Sequence, residues 1–271
     1  MRQVKRGTVF QPFTETHTAY MPAVSTRAVI TPGIVNGYIQ DPLKYATTTR
    51  YYDCQGGSCG CGFLINGIPV TCPWEAFGML PNTTYEGRQI PLGTAAASDT
   101  IFGEEGWMGP GCGDCYLLKS TGIYGGTYDT QGTTENPDSE IIVKVTNKCP
   151  DHPTCPVMKA VNNRGASAHF DIAVPAGGQG AQGRCDVQYP GYAFKDDNCS
   201  TVPEELQASC EKFKALGWNN PIVEYTRIPC PSEFNSVSCS VDAAGPYAGK
   251  WPTSASGCLP EYRRVSNVSH S

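Results

Sequence analysis

Two aspartates have neighbours that suit acid–base chemistry. Asp53 ends the strand-like run TTTRYYD and precedes a cysteine, which would hold its carboxyl rigidly at the rim of a sheet. Asp171 lies in HFD, where strand alternation puts Phe170 on one face and His169 with Asp171 on the other. Taken singly, Asp53 is typical of a turn-forming residue or helix cap, and His169 with Asp171 is typical of a pair on the protein surface without a catalytic role. Together, two rigid carboxyl groups across a groove can supply a general acid and a general base.

Short runs of β-branched or alternating residues predict the strands that would position these side chains. The clearest runs are residues 140–147, 169–174 and 222–229, and weaker ones of the same kind are 47–53 and 115–120. One amphipathic helix is also predicted, over 202–216. The chain is therefore predicted to be mainly β.

The limits of that helix come from its flanking residues. Thr201 followed three residues later by Glu204 suits a capping box, and Gly217 suits the stop. Its apolar face is interpreted as core packing and contains Leu206, Cys210, Phe213 and Leu216.

Fourteen cysteines dominate the composition. An even number suits complete pairing in an oxidising compartment, so we expect at least five disulfides and a secreted protein. A structural zinc site is the alternative, since CGCG and CGDC offer cysteine pairs. The sequence lacks the further chelating residues at regular spacing that such a site needs, so we expect neither metal nor cofactor.

Other features of the chain agree with an extracellular location. Asn82, Asn198 and Asn267 each begin an N-glycosylation sequon. The basic N-terminus lacks the apolar run of a signal peptide, so we expect a leader or a natural start that this chain does not include. No run reaches the roughly 20 apolar residues of a membrane span. A net charge of −5 without a basic run argues against nucleic acid. We expect a monomer that binds neither nucleic acid nor membrane.

Cysteine density divides the chain into three predicted regions. Residues 1–45 contain no cysteine and show no sustained period, which predicts an N-terminal extension or pro-segment. Residues 46–231 carry dense, evenly spread cysteines and are predicted to form one stapled domain. Residues 232–271 are rich in Ser, Pro and Gly, which predicts a loosely tethered C-terminal extension.

Five motifs follow one another in a fixed order: TTTRYYDC, CGCG, GPGCGDCY, IIVKVTNKCP and HFD. In this order, from Thr47 to Pro231, they resemble glycoside hydrolase family 45, the endoglucanases built on a six-stranded double-psi β-barrel. The later segment from Cys199 to Pro231 is similar to that family's closing helix and strand. The resemblance implies a mainly β barrel with disulfide-stapled loops. It also implies an endo-β-1,4-glucanase that hydrolyses cellulose or related β-glucans with inversion.

The resemblance also assigns roles to the two aspartates. It implies that Asp53 is the general base and Asp171 the general acid. Inverting hydrolysis places such a pair roughly 6.5 to 9.5 Å apart, so that a water fits between substrate and base. The acid must keep its proton, so Asp171 is expected in the more desolvated pocket and Asp53 in the wetter one. The resemblance further implies a bridge between Cys54 and Cys185.

Five more residues are predicted near the groove. Tyr51 matches a tyrosine of the family motif and would contact sugar, or else it is a core or rim aromatic. Asn147 matches an asparagine that would orient the water, or else it is a buried structural amide. His169 would line the groove beside the acid. Trp74 and Trp107 would stack on glucose rings, or else both belong to the core.

The chain departs from the family pattern in one loop, and a second class of protein shares several of its motifs. Arg164 stands seven positions before the acid, where several members carry an acidic residue, so the charge of this loop is reversed. Expansins and related wall-loosening proteins share the barrel, the cysteine motifs and HFD but do not hydrolyse polysaccharide. They lack the aspartate of RYxDC and carry a second, sandwich-type domain, whereas this chain has Asp53 and the closing helix and strand. A barwin-like defence protein has a smaller barrel that would leave much of the chain unexplained.

Overall fold

The computed structural model describes residues 33–35, 38–40, 44–103, 109–125, 136–149, 166–178 and 184–237. The strands in this part of the chain are β1 (Gly33–Val35), β2 (Tyr38–Gln40), β3 (Lys44–Tyr51), β4 (Phe63–Ile65), β5 (Ile68–Val70), β6 (Thr83–Tyr85), β7 (Arg88–Ile90), β8 (Leu92–Ala97), β9 (Cys115–Tyr124), β10 (Glu140–Lys148), β11 (Ala168–Ala173) and β12 (Pro221–Ile228). The helices are α1 (Asp99–Phe102), α2 (Arg184–Gln188) and α3 (Glu204–Ala215), and short 3-10 turns cover Pro73–Glu75, Cys199–Thr201 and Ser232–Ser236. None of these helices is long and apolar enough to cross a bilayer.

Six of the strands close into a barrel in the order β10-β8-β11-β3-β12-β9. The pairs β10–β8 and β11–β3 are parallel, and the other four are antiparallel. The remaining strands form three two-stranded hairpins outside the barrel. The predicted fold, a mainly β, six-stranded double-psi barrel, is confirmed. All five predicted strands are present as β3, β9, β10, β11 and β12.

The register of β3 with β11 divides the barrel wall into two faces. Phe170 lies opposite Thr48 and packs into the core, where it contacts Tyr116 and Tyr225 at ring-centroid distances of 5.3 and 5.6 Å. Burial of such a ring contributes about 1.5 to 3 kcal/mol. The opposite face of the same two strands carries threonines and Asp171, because strand side chains alternate. The apolar core therefore fixes the direction in which the polar residues point.

Strand β8 was not predicted from the sequence. Its residues LGTAAA are all buried, since β10 covers one edge and β11 the other. Small residues that are buried on both faces show neither alternation nor β-branched enrichment. The pattern that reveals a half-buried strand is consequently missing.

The predicted helix exists, but its first turn differs from the prediction. Helix α3 begins at Glu204, and Thr201 belongs to the preceding 3-10 turn. Its hydroxyl lies within hydrogen-bond distance of the Asn198 and Ala193 carbonyls. The prediction of Thr201 as N-cap was wrong because Pro203 keeps the residue before it extended. Gly217 has φ 69° after the last turn, as a stop position requires.

All eleven cysteines in the described part of the chain are disulfide-bonded. Bridges with both partners described are Cys54–Cys185, Cys59–Cys112, Cys115–Cys230 and Cys199–Cys210. The predicted bridge between Cys54 and Cys185 is confirmed. Each bridge holds two cysteines, so eleven bonded cysteines need at least six bridges, which satisfies the expectation of five or more. No described cysteine is left as a thiolate for zinc.

The packed body extends beyond the predicted boundary at residue 231. Phe234 and Val237 are each 1% exposed and belong to the main core. The Lys144 ammonium donates a hydrogen bond to the Val237 carbonyl at 2.6 Å. The prediction of a loosely tethered tail was therefore wrong for residues 232–237, because two apolar side chains anchor them. Residues 1–32 and 238–271 lie outside the described part.

Candidate active site

Four adjacent strands of the barrel present one row of in-register residues. Asn147 of β10 pairs with Ala96 of β8, Ala96 with Asp171 of β11, and Asp171 with Thr49 of β3. Residues directly opposite one another in a sheet share a face, so this row crosses the wall on the side away from the core. The small Ala96 leaves only a methyl group between the amide and the carboxyl. Asp53 lies two residues beyond the end of β3.

Asp53 is partly buried and held by a turn of its own. The Gln55 backbone N–H donates to Asp53 Oδ1 at 3.0 Å, so the side chain forms the turn that its sequence context favours. Burial raises the pKa of Asp53 to about 6, and hydrogen bonds from backbone N–H groups partly oppose that shift. The turn therefore orients the carboxyl and does not compete with acid–base chemistry.

Asp171 is anchored by its partner on β3. The Thr49 hydroxyl donates to Asp171 Oδ1 at 2.7 Å. Burial raises the pKa of Asp171 to about 7; the Thr49 hydrogen bond lowers this pKa and the charge of Asp53 raises it. Asp171 thus has the higher pKa of the two, in the order expected if it is the more desolvated. Both carboxyls therefore titrate closer to neutral pH than an ordinary aspartate, and the order of their pKa values favours a proton on Asp171 over one on Asp53.

His169 lies beneath the acid and not in the groove. Its side chain is 1% exposed, with Nδ1 2.7 Å from the Thr47 hydroxyl and Nε2 2.8 Å from the Thr49 hydroxyl. Burial lowers the pKa of His169 to about 3, so the ring is neutral. The expectation that His169 lines the groove was wrong. Among the described residues, Thr49 is the side chain that links His169 to Asp171 by hydrogen bonds.

Asn147 holds the loop that follows Asp53. Its Oδ1 accepts hydrogen bonds from the Ser58 and Lys148 backbone N–H groups at 2.8 and 2.9 Å, which occupies both lone pairs. Its Nδ2 donates to the Tyr51 hydroxyl at 3.4 Å. Of the two interpretations, the structural amide fits these contacts. The only groups Asn147 can still offer to a ligand are amide N–H donors.

A close backbone approach allows this loop to lie against β10. A Cβ on Gly57 would collide with the Thr146 carbonyl oxygen. The Cys59 backbone N–H donates to the same carbonyl at 3.2 Å. Glycine is required there because any side chain would push the loop, and Asp53 with it, away from β10.

The aromatic residues predicted for sugar contact divide into two groups. Tyr51 is partly exposed and packs against Ala96 and Cys149. Burial raises the pKa of Tyr51, and the Asp53 charge adds to that effect, so the phenol keeps its proton and can donate. Trp74 is 3% exposed and belongs to the core, so the stacking expectation was wrong and the core alternative applies. Trp107, like Arg164, lies outside the described residues.

Glu75 is a third carboxyl at the site that the sequence reasoning missed. It ends the 3-10 turn Pro73–Glu75, is 2% exposed, and accepts a hydrogen bond at its backbone carbonyl from Thr94. Thr94 shares a face of β8 with Ala96, which places Glu75 beside the row described above. Burial raises the pKa of Glu75 well above its usual range, and the Asp53 charge raises it further. No sequence pattern pointed to it.

Thr47 and Thr49 were also missed, although a signal for them exists. Counting back from Asp53 in steps of two gives Tyr51, Thr49 and Thr47, the face that β3 turns towards the site. Within the described residues, no three His, Cys, Asp or Glu side chains converge as ligands for a metal ion. The described part of the site offers two aspartates of raised pKa, a phenol donor and a buried glutamate whose pKa is also raised.

Comparisons with known proteins agree with this barrel. Residues 45–236 match the family model described as EXPB1-like domain 1. Endoglucanase-5 of Hypocrea jecorina is 42% identical over 132 residues, which is 47% of this chain and 48% of that protein. The chain thus spans about half the length of that relative. An endoglucanase of Mytilus edulis is 28% identical over 202 residues, 72% of this chain and 86% of that protein.

A solved structure shares the fold. The crystal structure of a cellulase from the Antarctic springtail Cryptopygus antarcticus superimposes with a TM-score of 0.50 at 21% identity. The alignment covers 73% of this chain and 97% of the springtail chain. At this level of identity the likeness concerns the fold alone.

Proposed function

The chain belongs to the family of the EXPB1-like domain 1, and on that premise we propose that it is an endo-β-1,4-glucanase of the glycoside hydrolase family 45 type. The resemblance that the five motifs carry is confirmed by this membership and by the named endoglucanase relatives. The proposed substrate is the β-1,4-linked backbone of cellulose or a related glucan. The proposed reaction is hydrolysis of internal glycosidic bonds.

The observation that carries the proposal is the pair Asp53 and Asp171. Both carboxyls are partly buried in one site, and the charge of Asp53 acts on Asp171. The pKa of Asp53 is about 6 and that of Asp171 about 7, an order that favours a proton on Asp171 and a charge on Asp53. Hydrolysis of a glycosidic bond by a single displacement requires such a pair.

In the proposed reaction Asp171 acts as acid and Asp53 as base. Asp171 transfers its proton to the glycosidic oxygen as the bond from that oxygen to the anomeric carbon breaks. Asp53 accepts a proton from a water whose oxygen bonds to the anomeric carbon on the opposite face. The products are two shorter glucans, one with an inverted anomeric centre, and the two carboxyls have exchanged protonation states. Tyr51, as a protonated phenol, is placed to donate to a sugar hydroxyl.

A non-hydrolytic, wall-loosening protein is the second candidate, because the family model is named for an expansin-like domain. Asp53 favours the hydrolase. A protein that only binds polysaccharide has no use for two carboxyls of staggered pKa, whereas a hydrolase depends on both. We further propose that the protein is secreted, since eleven disulfide-bonded cysteines suit an oxidising compartment.

Release of reducing sugar from soluble carboxymethyl-cellulose tests the proposal. The native protein should release reducing sugar. In both Asp53→Asn and Asp171→Asn the rate of release should fall by a factor of about 10² to 10⁴. The matched control is Asp138→Asn, since Asp138 is exposed and forms its ion pair with Lys119, away from the site. That variant should keep native activity.

The three variants also separate the two candidate functions. If the native protein and all three variants bind cello-oligosaccharides but none of them hydrolyses glucan, the protein is a loosening or binding protein. Retention of full hydrolysis in Asp171→Asn would show that another residue is the acid.

A further inference from the structure

A chain of four hydrogen-bonding side chains leads from the interior of the barrel wall to the proposed acid. Thr47 Oγ1 lies 2.7 Å from His169 Nδ1, Thr49 Oγ1 lies 2.8 Å from His169 Nε2, and Thr49 Oγ1 lies 2.7 Å from Asp171 Oδ1. The register of β3 with β11 builds this chain, because Thr47 pairs with His169 and Thr49 with Asp171. With a neutral imidazole and a hydrogen bond at each of the three contacts, the hydrogens can be ordered in only two directions.

The number of hydrogens decides between these directions. A threonine hydroxyl has one hydrogen, and a neutral imidazole has one N–H and one acceptor nitrogen. In the first direction Thr47 donates to Nδ1, Nε2–H donates to Thr49, and Thr49 donates to Asp171 Oδ1. In the second direction Asp171 Oδ1–H donates to Thr49, Thr49 donates to Nε2, and Nδ1–H donates to Thr47.

The second direction leaves a buried hydrogen without an acceptor. Thr47 is 1% exposed, and within the described part of the chain its side chain has a hydrogen bond only with His169. If Nδ1–H donated to Thr47, the Thr47 hydroxyl hydrogen would have no acceptor among the described residues, and a buried donor without an acceptor is unfavourable. A doubly protonated ring would create the same orphan. The first direction satisfies every donor in the chain.

We propose that Thr47 holds His169 in the Nε2–H tautomer, that this tautomer turns the Thr49 hydroxyl onto Asp171 Oδ1, and that Oδ2 therefore carries the proton delivered to the glycosidic oxygen. The inference rests on the proposed function, in which Asp171 is the acid. Thr47, His169 and Thr49 are positioning residues. They relay no proton along the chain of hydrogen bonds, because among the described residues this chain ends at Thr47.

The positioning has two effects on Asp171. It keeps the protonated oxygen fixed, since Oδ1 is occupied as an acceptor. After proton transfer, the Thr49 hydroxyl stabilises the carboxylate, which lowers the pKa of Asp171 and opposes the effect of burial. Loss of the Thr49 hydrogen bond to Asp171 should therefore slow the reaction and move the alkaline limit of its pH profile to higher pH.

The tautomer can be measured in the resting protein. In protein labelled with ¹⁵N in its histidines, long-range ¹H–¹⁵N correlations distinguish Nε2–H from Nδ1–H, and the spectrum of His169→Gln identifies the signal among the four histidines. At about pH 6 we expect His169 to be neutral and Nε2–H. An Nδ1–H or doubly protonated ring would overturn the proposal.

Variants of the threonines test the consequence for catalysis. Thr47→Val should allow His169 to adopt the Nδ1–H tautomer as well. It should lower kcat several-fold with little change in KM, and it should move the alkaline limit of kcat/KM to higher pH. Thr49→Val should do the same more strongly, and Thr47→Ser should restore native behaviour because it restores the hydroxyl. Thr48→Val is the matched control, since Thr48 is also buried but its hydroxyl donates to the Pro221 carbonyl on the other face.

The outcomes separate this inference from the proposed function. A native pH profile and tautomer in Thr47→Val, equal to those of Thr48→Val, would overturn the inference while hydrolysis stands. A native protein with the Nε2–H tautomer but without hydrolytic activity would overturn the proposed function and, with it, the delivery of a proton by Oδ2. The tautomer assignment would then remain as a structural fact.

Discussion

Asn147 and Asp171 flank Ala96 from opposite sides, one on β10 and the other on β11. The side chain between them is a single methyl group, against which Tyr51 also packs. An amide donor, a carboxyl and a phenol can approach one another only because this residue is small. The position of Ala96 therefore sets the spacing of the site.

Ala96→Leu should disrupt that spacing. A larger side chain on this face would separate Asp171 from Tyr51, and we expect kcat/KM on soluble glucan to fall at least tenfold, with overpacking costing about 1 to 3 kcal/mol of stability. Ala96→Gly is the control, since it leaves the space open and should keep most activity at a cost of about 0.5 to 1 kcal/mol. Equal activity of the two variants would show that Ala96 does not set the spacing.

Substrates with an acidic leaving group should distinguish the two aspartates. A phenolate departs without a proton, so an aryl β-cello-oligosaccharide should recover part of the rate lost in Asp171→Asn. Asp53→Asn impairs water activation and should stay slow on both kinds of substrate. Rescue of Asp53→Asn alone would mean that the roles are exchanged.

The stereochemistry of the product provides an independent test. Displacement by a water that Asp53 activates should give α-configured reducing ends as the first product. Proton NMR of the first minutes of cello-oligosaccharide hydrolysis measures this. A β-configured first product would require a covalent intermediate and would exclude Asp53 as a base.

The pH dependence of kcat/KM should be bell-shaped and narrow. Below about pH 6 Asp53 becomes protonated and the base is lost, and above about pH 7 Asp171 loses the proton it must donate. Rates on soluble glucan across the range from about pH 4 to about pH 9 measure both limits, because kcat/KM reports the groups of the free enzyme. An acid limit near the ordinary aspartate pKa would contradict the burial of Asp53.

Glu75→Gln should change how stability depends on pH. The folded protein keeps the Glu75 proton above the ordinary pKa of 4.5, whereas the unfolded chain releases it. Native Glu75 therefore lowers stability as pH rises above 4.5, by about 1.4 kcal/mol per unit, until the folded pKa is reached. The glutamine variant lacks this slope.

Equilibrium denaturation of both proteins at several pH values measures the difference. The gap should widen in favour of Glu75→Gln as pH rises. Asp138→Asn, which replaces an exposed carboxyl instead of a buried one, is the matched control. A constant gap between the native protein and Glu75→Gln would mean that Glu75 is ionised in the folded state.

Sequence patterns were informative where one face of a strand is polar and the other apolar. β3 and β11 alternate, so both were predicted, and Phe170 fixed the face that Asp171 occupies. β8 is buried on both sides, so no alternation marked it. The residue that spaces the site, Ala96, was invisible for the same reason. The alternation of polar and apolar residues reflects which side chains are exposed, and almost no side chain of β8 is exposed.

Chemistry that depends on long-range contact could not be predicted from the sequence. His169 has the same residue type and spacing to Asp171 whether it lines a groove or lies under it, and only the threonines of β3 decide which. Glu75 is 19 residues from Thr94 and 22 from Asp53 in the chain, and the packing of its turn against Thr94 brings it to Asp53. Whether a carboxyl is buried depends on tertiary contacts, so it could not be predicted from the amino-acid sequence around Glu75.

The pairing of β3 with β11 also shapes how the protein folds. Thr49 and Asp171 are separated by 122 residues, so the site cannot assemble until a long chain closes on itself, and such non-local contacts form late and slowly. The bridge between Cys54 and Cys185 spans the same closure from positions beside Asp53 and beyond β11. With this bridge intact, the unfolded chain keeps the two halves of the site tethered. Oxidised protein should therefore regain hydrolytic activity after dilution from denaturant far faster than reduced protein. The rate at which activity returns then measures the rate of the final folding step.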